Sequence, residues 1–176
     1  MKLIPLTKGY FAKVDDVDFE SLSQLNWHAV PRTRKDGVVT CVYACRKSSS
    51  IGGKKRFGIY MHRQILDLHT TRKPDVDHRD TNGLNNQREN LRISTRSNNL
   101  ANARLRIDNK SSRRGVRWDP KNNKWRSEIT VNGKLIWLGR FVELEDASRA
   151  HEEAAVKFFG EFHRESGRVA SLSVGD

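Results

Sequence analysis

Cysteine is nearly absent: Cys41 and Cys45 are the only two in 176 residues. A structural zinc site wants four ligands, and no second cysteine pair exists to complete one. The two thiols lie four residues apart in a strand-like stretch, 38–45, so they share a face and read as packed, reduced side chains. Long apolar runs are missing too. No stretch approaches the ~20 residues that span a bilayer. Residues 1–10 contain no apolar segment long enough for a signal peptide. The expectation is a soluble, cytoplasmic chain with no membrane partner. Apolar residues make up 36% of the chain, aromatics 8%, and the mean hydropathy is −0.75. That is little for one large core and suits two small cores joined by polar segments.

Acidic residues are scarce where basic ones are dense. The net charge is +12. Residues 96–140 carry 12 Lys/Arg against 3 Asp/Glu, whereas residues 141–176 carry 4 against 8. A field concentrated in this way attracts a polyanion, and nucleic acid is the partner it favours.

Patterning divides the chain. Residues 1–70 alternate short apolar runs with turn signals. A strand is expected at 9–14 and a short helix at 18–25. A second strand starts at Trp27 and returns through the Lys35-Asp36-Gly37 turn. Residues 48–55 read as a Gly-rich loop. Residues 104–113 are basic, lack an apolar period and read as a linker. Residues 114–163 read as three strands and a helix, with Asn132-Gly133 as the hairpin turn and Ala147, Ala150, Ala154 and Phe158 on the packed helix face. Residues 164–176 form a tail.

The chemistry-bearing set lies between. Asp77-His78 is followed by Asp80, Asn82, Gly83, Asn85 and Asn86, then by Asn90-Leu91-Arg92, then by Asn98-Asn99. So many asparagines are poor for helix or strand, so the segment is an elaborate loop or its amides bind something. Cleaving a phosphodiester needs a base, a cation and a grip on the phosphate. His78 has the right intrinsic pKa for the base. Asp77 is a hard oxygen ligand for Mg²⁺, and Asn99 offers a neutral amide oxygen.

Residues 60–103 resemble an HNH nuclease of the ββα-metal fold, of the phage-borne and intron-borne homing type. The matching pieces are Tyr60-Met61-His62-Arg63, Val76-Asp77-His78-Arg79-Asp80, Asn85 to Arg92 and Asn98-Asn99. The resemblance implies that Asp77 and Asn99 hold one divalent ion, Mg²⁺ with Mn²⁺ as the alternative. It also implies that His78 is the general base and that Asn90 braces the loop orienting it. His62, Arg63, Arg79 and Arg92 are candidates for phosphate contact or for supporting the site. Where many relatives carry His, this chain has Asn99.

Residues 114–163 resemble an APETALA2-type DNA-binding domain, through Arg114-Gly115-Val116-Arg117, Lys124 to Ile129, Trp137 to Phe141 and the Ala-rich helix. That resemblance implies a sheet entering the major groove of double-stranded DNA, a groove wide enough for a β-ribbon. Arg114, Arg117, Glu128 and Trp137 match contact positions, and Arg126 and Arg140 are further candidates. Strand alternation puts Trp125 and Ile129 in the core and Arg126 and Glu128 on the exposed side.

The expected architecture is α+β: an HNH nuclease domain over 1–103, a linker over 104–113 and a three-stranded antiparallel sheet with one packed helix over 114–163. The expected function is sequence-targeted, metal-dependent DNA endonuclease, of a phage or mobile element acting in a bacterial host, with a monomer favoured. The alternative is a DNA-binding regulator with an inactive HNH module. An RNA-binding structural protein is a weaker rival, since the aromatic motifs that stack single strands are missing.

Overall fold

The computed structural model describes residues 1–48, 57–68, 73–106 and 108–164. Most of the expected 48–55 loop and of the 164–176 tail lies outside the described residues. The chain packs as two units, residues 1–95 and 96–176. The described residues are mixed α and β, with small antiparallel sheets and four α-helices.

In the first unit, β1 (Lys2–Pro5) pairs with β2 (Phe11–Val14), and α1 (Asp16–Ser23) follows. Three strands, β3 (His28–Thr33), β4 (Val39–Lys47) and β5 (Gly58–Tyr60), form an antiparallel sheet in that order. The β3–β4 hairpin closes at the expected turn, where Arg34 N–H donates to Val38 O at 2.9 Å. Helix α2 (Met61–Ile65) leads to the two-stranded pair β6 (Asp75–His78) and β7 (Leu91–Ser94). The core gathers Ile4, Val14, Leu22, Trp27, Val42 and Met61. Trp27 is core, its indole N–H donating to Leu22 O at 2.9 Å.

The segment joining β6 to β7 is pinned to the N-terminal strands. Lys13 N–H donates to Leu84 O, and Asn86 N–H donates to Lys13 O, each at 2.8 Å. Arg88 grips both oxygens of Asp18 at 2.9 and 2.7 Å, and its own N–H donates to Asp15. Gly83 fits because nothing larger can: a Cβ there would meet Val42 O at 2.5 Å and the Tyr43 ring at 2.7 Å. Residues 10–46, to which the sequence assigns no chemistry, therefore hold this segment in place.

In the second unit, α3 (Arg96–Asn102) precedes β8 (Val116–Asp119), β9 (Lys124–Val131), β10 (Lys134–Phe141) and α4 (Leu144–Phe159). The sheet order is β10-β9-β8. The division of units falls one helix before the boundary read at 103, because Ala101 of α3 packs with Ile129, Ala155 and Phe159. Ser111, read as linker, is buried with its hydroxyl 2.7 Å from Val116 O. At the β9–β10 turn, Asn132 and Gly133 both take positive φ, 51° and 80°, the geometry that favours Asn-Gly in a tight hairpin.

The packed face of α4 differs from the expected one. Ala147, His151, Ala155 and Phe159 are buried, whereas Phe158 is 42% exposed. The true stripe repeats every four residues and runs through a histidine, which an apolar count passes over.

Candidate functional site

Asp77 and His78 end β6, paired in register with Arg92 and Leu91 of β7. Adjacent strand residues face opposite ways, and the chain leaves regular strand just beyond them. Thr81 N–H turns back to His78 O at 2.9 Å, and Thr81 takes φ 63°. Asn90 ties this turn together. Its Oδ1 accepts from Asp80 N–H at 3.0 Å, and its Nδ2 donates to Asp80 Oδ1 at 3.0 Å and to Asn85 O at 2.7 Å. Its backbone carbonyl accepts from Arg79 N–H at 2.9 Å.

Asp77 is gripped by Arg92. Nε and Nη2 of the guanidinium donate to Asp77 Oδ2 at 2.8 and 2.7 Å, and the two side chains are only 7% and 11% exposed. Arg63 donates to Pro74 O at 2.9 Å and Leu68 O at 3.0 Å, fixing the entry into β6.

His78 sits in an aromatic nest. The His62 ring meets it edge-on at 5.0 Å between centroids, and Tyr43 lies 5.9 Å away. Tyr60 stacks on His62 at 5.5 Å. Burial pulls His78 below the ordinary histidine pKa, against the pull of Asn86, Asp80 and Asp77. Burial, then the neighbouring His78 and Arg63, pushes His62 down to about 3. Burial also raises Tyr43 above the usual phenol value. Burial thus disfavours the charged form of both imidazoles. Tyr43 as a neighbour of His78, and Tyr60 as the ring stacked on His62, were missed. They come from β4 and β5, and only tertiary structure brings them there.

Asn99 lies on α3 in the second unit. Its Oδ1 is buried with no hydrogen-bond partner. Among the described residues, no group of three or more His, Cys, Asp or Glu is placed to hold a metal ion.

In the second unit, pairing fixes which side chains share the sheet face away from the core. Arg117 pairs with Arg126, which also pairs with Arg140, while Glu128 pairs with Trp137. Trp137 is 47% exposed and flanked by Arg126 and Arg140, whose guanidiniums lie 5.4 and 5.0 Å from its ring. Glu128, expected to be exposed, is only 6% exposed. Arg117 and Arg126 cover it, each ion-paired to one of its oxygens. Arg140 also pairs with Asp119 at 3.0 Å. Arg114 is engaged elsewhere. Its guanidinium donates to Leu100 O and Ala103 O, satisfying carbonyls at the end of α3. Ile129 is buried in the core, while Trp125, expected there, is partly buried and meets the 43%-exposed Trp118 edge-to-face at 5.0 Å.

The AP2 domain family matches residues 111–161. This stretch is an AP2 domain. Among curated proteins, the chain is 37% identical over 90 residues to an ethylene-responsive transcription factor, ERF069, of Arabidopsis thaliana, covering 48% of this chain and 54% of that one. It is 29% identical over 110 residues to an uncharacterized HNH endonuclease, L560, of Acanthamoeba polyphaga mimivirus, covering 62% and 56%. It is 34% identical over 59 residues to Protein 3.8 of Escherichia phage T7, covering 34% and 49%. The matches thus span about half the length of each relative. No solved structure matches the chain. No helix among the described residues is long and apolar enough to cross a membrane.

One consequence of the AP2 domain's core is acid sensitivity. Burial first, then Arg114, lowers His151 from 6.5 to about 4. Between those values the unfolded chain holds a proton that the folded domain refuses. Stability is therefore full above pH 6.5 and falls as the pH drops toward 4. Thermal melts from pH 7 to 4.5 should show a falling Tm, with a shallower fall for His151→Gln.

Proposed function

We propose that this chain is a divalent-metal-dependent DNA endonuclease of the HNH type, delivered to double-stranded DNA by its AP2 domain. The observation that carries the reading is the geometry at the end of β6: the buried His78 next to Asp77, followed by a turn braced by Asn90. The element order β6, β7, α3 is the ββα order of the resemblance, and the mimivirus relative is named an HNH endonuclease.

His78 takes the proton of the attacking water as the water oxygen bonds to phosphorus and the opposite P–O ester bond breaks, the leaving sugar oxygen taking a proton from solvent. Asn90 keeps the turn after His78 in one conformation, so the imidazole is not free to swing. Asp77 is the proposed carboxylate ligand of one ion, Mg²⁺ or Mn²⁺; Asn99, the second ligand that the sequence resemblance implies, belongs to the second unit and offers a buried amide oxygen. When bound, the ion neutralises charge on the scissile phosphate. Arg79 is a candidate to grip a phosphate.

The AP2 domain supplies affinity. Arg126 and Arg140 flank exposed Trp137, and Arg117 shares their sheet face, an arrangement that suits the major groove. Arg117→Ala and Arg140→Ala should each weaken duplex binding. Each should also make the slope of log K against log salt shallower, by about 0.9 for every phosphate the protein no longer neutralises. Fluorescence anisotropy across a salt series measures this. An Arg114→Ala change should act mainly on stability. The viral origin of two relatives fits a phage or mobile element.

A second reading is a DNA-binding regulator with an inert nuclease module. The buried Arg92–Asp77 pair favours it, since Asp77 already has a cationic partner. Gel shifts and cleavage assays with Mg²⁺ on the same duplex separate the two: the regulator binds without cutting.

A further inference from the structure

We infer that the second unit carries a ligand site of its own, a cavity lined by α3, α4 and the end of β9 that takes a small organic carboxylate with an apolar body. The cavity measures about 340 Å³, and none of Asp77, His78 or Asn90 lines it. Strand register creates it. The β8–β9 pairing ends at Val116 and Ser127, whereas β9 runs on to Val131. The last residues of β9 therefore have β10 on one side and no β8 partner on the other. Helix α3 covers part of that edge. Ser97 Oγ accepts from Asn132 N–H at 3.0 Å, and Ala101 packs with Ile129. Ile129 and Thr130 of the same edge line the cavity.

The lining is apolar with a few polar groups, the usual make-up of a small-molecule site. Val116, Leu135, Ala155 and Phe159 supply hydrocarbon, and Arg114 and His151 stand among them. His151 is 4% exposed, and its Nδ1 has no hydrogen-bond partner among the described residues. The same holds for the buried Nε of Arg114. A buried nitrogen without a partner costs free energy, and one carboxylate group accepts from both a guanidinium and an imidazole N–H. Arg114 also has no carboxylate partner among the described residues. Its other nitrogens donate to the neutral carbonyls of Leu100 and Ala103. Burial pulls its guanidinium below the ordinary value. Glu128 lines the cavity too, but each of its oxygens is ion-paired, one to Arg117 and one to Arg126. Glu152 bonds His163 through Oε1 and is not part of the lining. An anionic guest thus meets an uncompensated cation. A phosphate would leave most of its oxygens unbonded against apolar side chains, so hydrocarbon behind a single carboxylate is the better fit.

The test is calorimetric titration of the full chain, without DNA, with millimolar naphthoate and octanoate, each set against its alcohol, naphthylmethanol or octanol. At least one carboxylate should bind at one site per chain, and its alcohol should bind about 10–100-fold more weakly, the worth of a charge-assisted hydrogen bond. Arg114→Gln should weaken the carboxylate by a similar factor. Leu100 lines the cavity yet is 58% exposed, so Leu100→Glu puts a like charge on the lining without disturbing the core. It should weaken binding by about fivefold. Arg140→Ala, outside the lining, should bind the carboxylate as the parent does. Saturable binding of neither carboxylate overturns the inference. So does an alcohol that binds as tightly as its acid. Binding lost in Arg140→Ala and kept in Arg114→Gln places the guest on the DNA-facing sheet and overturns it as well. Should Arg114→Gln fail to fold, Leu100→Glu decides, and parental affinity there overturns the inference.

Discussion

Replacing His78 with alanine should lower DNA strand cleavage by about 10²–10⁴-fold, the range that a positioned general base supplies. Duplex binding should be nearly unchanged, because the AP2 domain, not β6, carries the affinity. The two readouts must part company. Single-turnover cleavage measures the first, and anisotropy on the same duplex the second. Parental cleavage by His78→Ala would assign the base to another group. The neutral His62, whose ring lies 5.0 Å from His78, is the nearest alternative imidazole.

The second large effect lies in the other unit. Gly115→Ala should cripple the AP2 domain. Gly115 takes φ 65°, where a side chain is strained. A Cβ there would also overlap the His151 ring and the Glu128 carbonyl oxygen. Strain of about 1–3 kcal/mol adds to an overpacking cost of about 1–3 kcal/mol. For a small domain stable by about 5–15 kcal/mol, that sum is a large share. The expected result is a lower Tm and weaker DNA binding together. Adding His151→Ala should restore part of the stability by removing the ring overlap. It cannot restore all, since the backbone strain and the clash with the Glu128 carbonyl remain. A Gly115→Ala chain that melts and binds like the parent would contradict the tight packing around this glycine.

Much of this was legible from residue order. Helix α4 was readable because a long amphipathic run ends at Gly160, and the β9–β10 hairpin because Asn132-Gly133 needs no tertiary help to turn. Ile129 is buried in the core, as alternation assigns, whereas Trp125 is only partly buried and lies outside that core cluster. Other features were not legible, for a common reason: they depend on partners distant in the chain. Glu128 alternates like an exposed residue, yet Arg117 and Arg126 close over it. Arg114 reads as a DNA-binding residue by motif, yet its guanidinium is taken up by Leu100 and Ala103 carbonyls. His151 hides in the α4 stripe because a polar residue does not register in an apolar count. Around His78, the Asn-rich segment announced itself as special. The aromatic nest of Tyr43, Tyr60 and His62, and the grip of Arg92 on Asp77, needed the fold. That grip is a cross-strand pairing fixed by the β6–β7 register, which the long segment between the two strands leaves open in the sequence.

The most direct measurement is incubation of supercoiled plasmid with the full chain, in Mg²⁺ and separately in EDTA. The account predicts conversion to relaxed or linear DNA in Mg²⁺ only, with the product form reporting one-strand or two-strand cutting. Plasmid that stays supercoiled in Mg²⁺ and in Mn²⁺, while gel shifts show the protein bound to it, would contradict the account and leave a DNA-binding protein without nuclease chemistry.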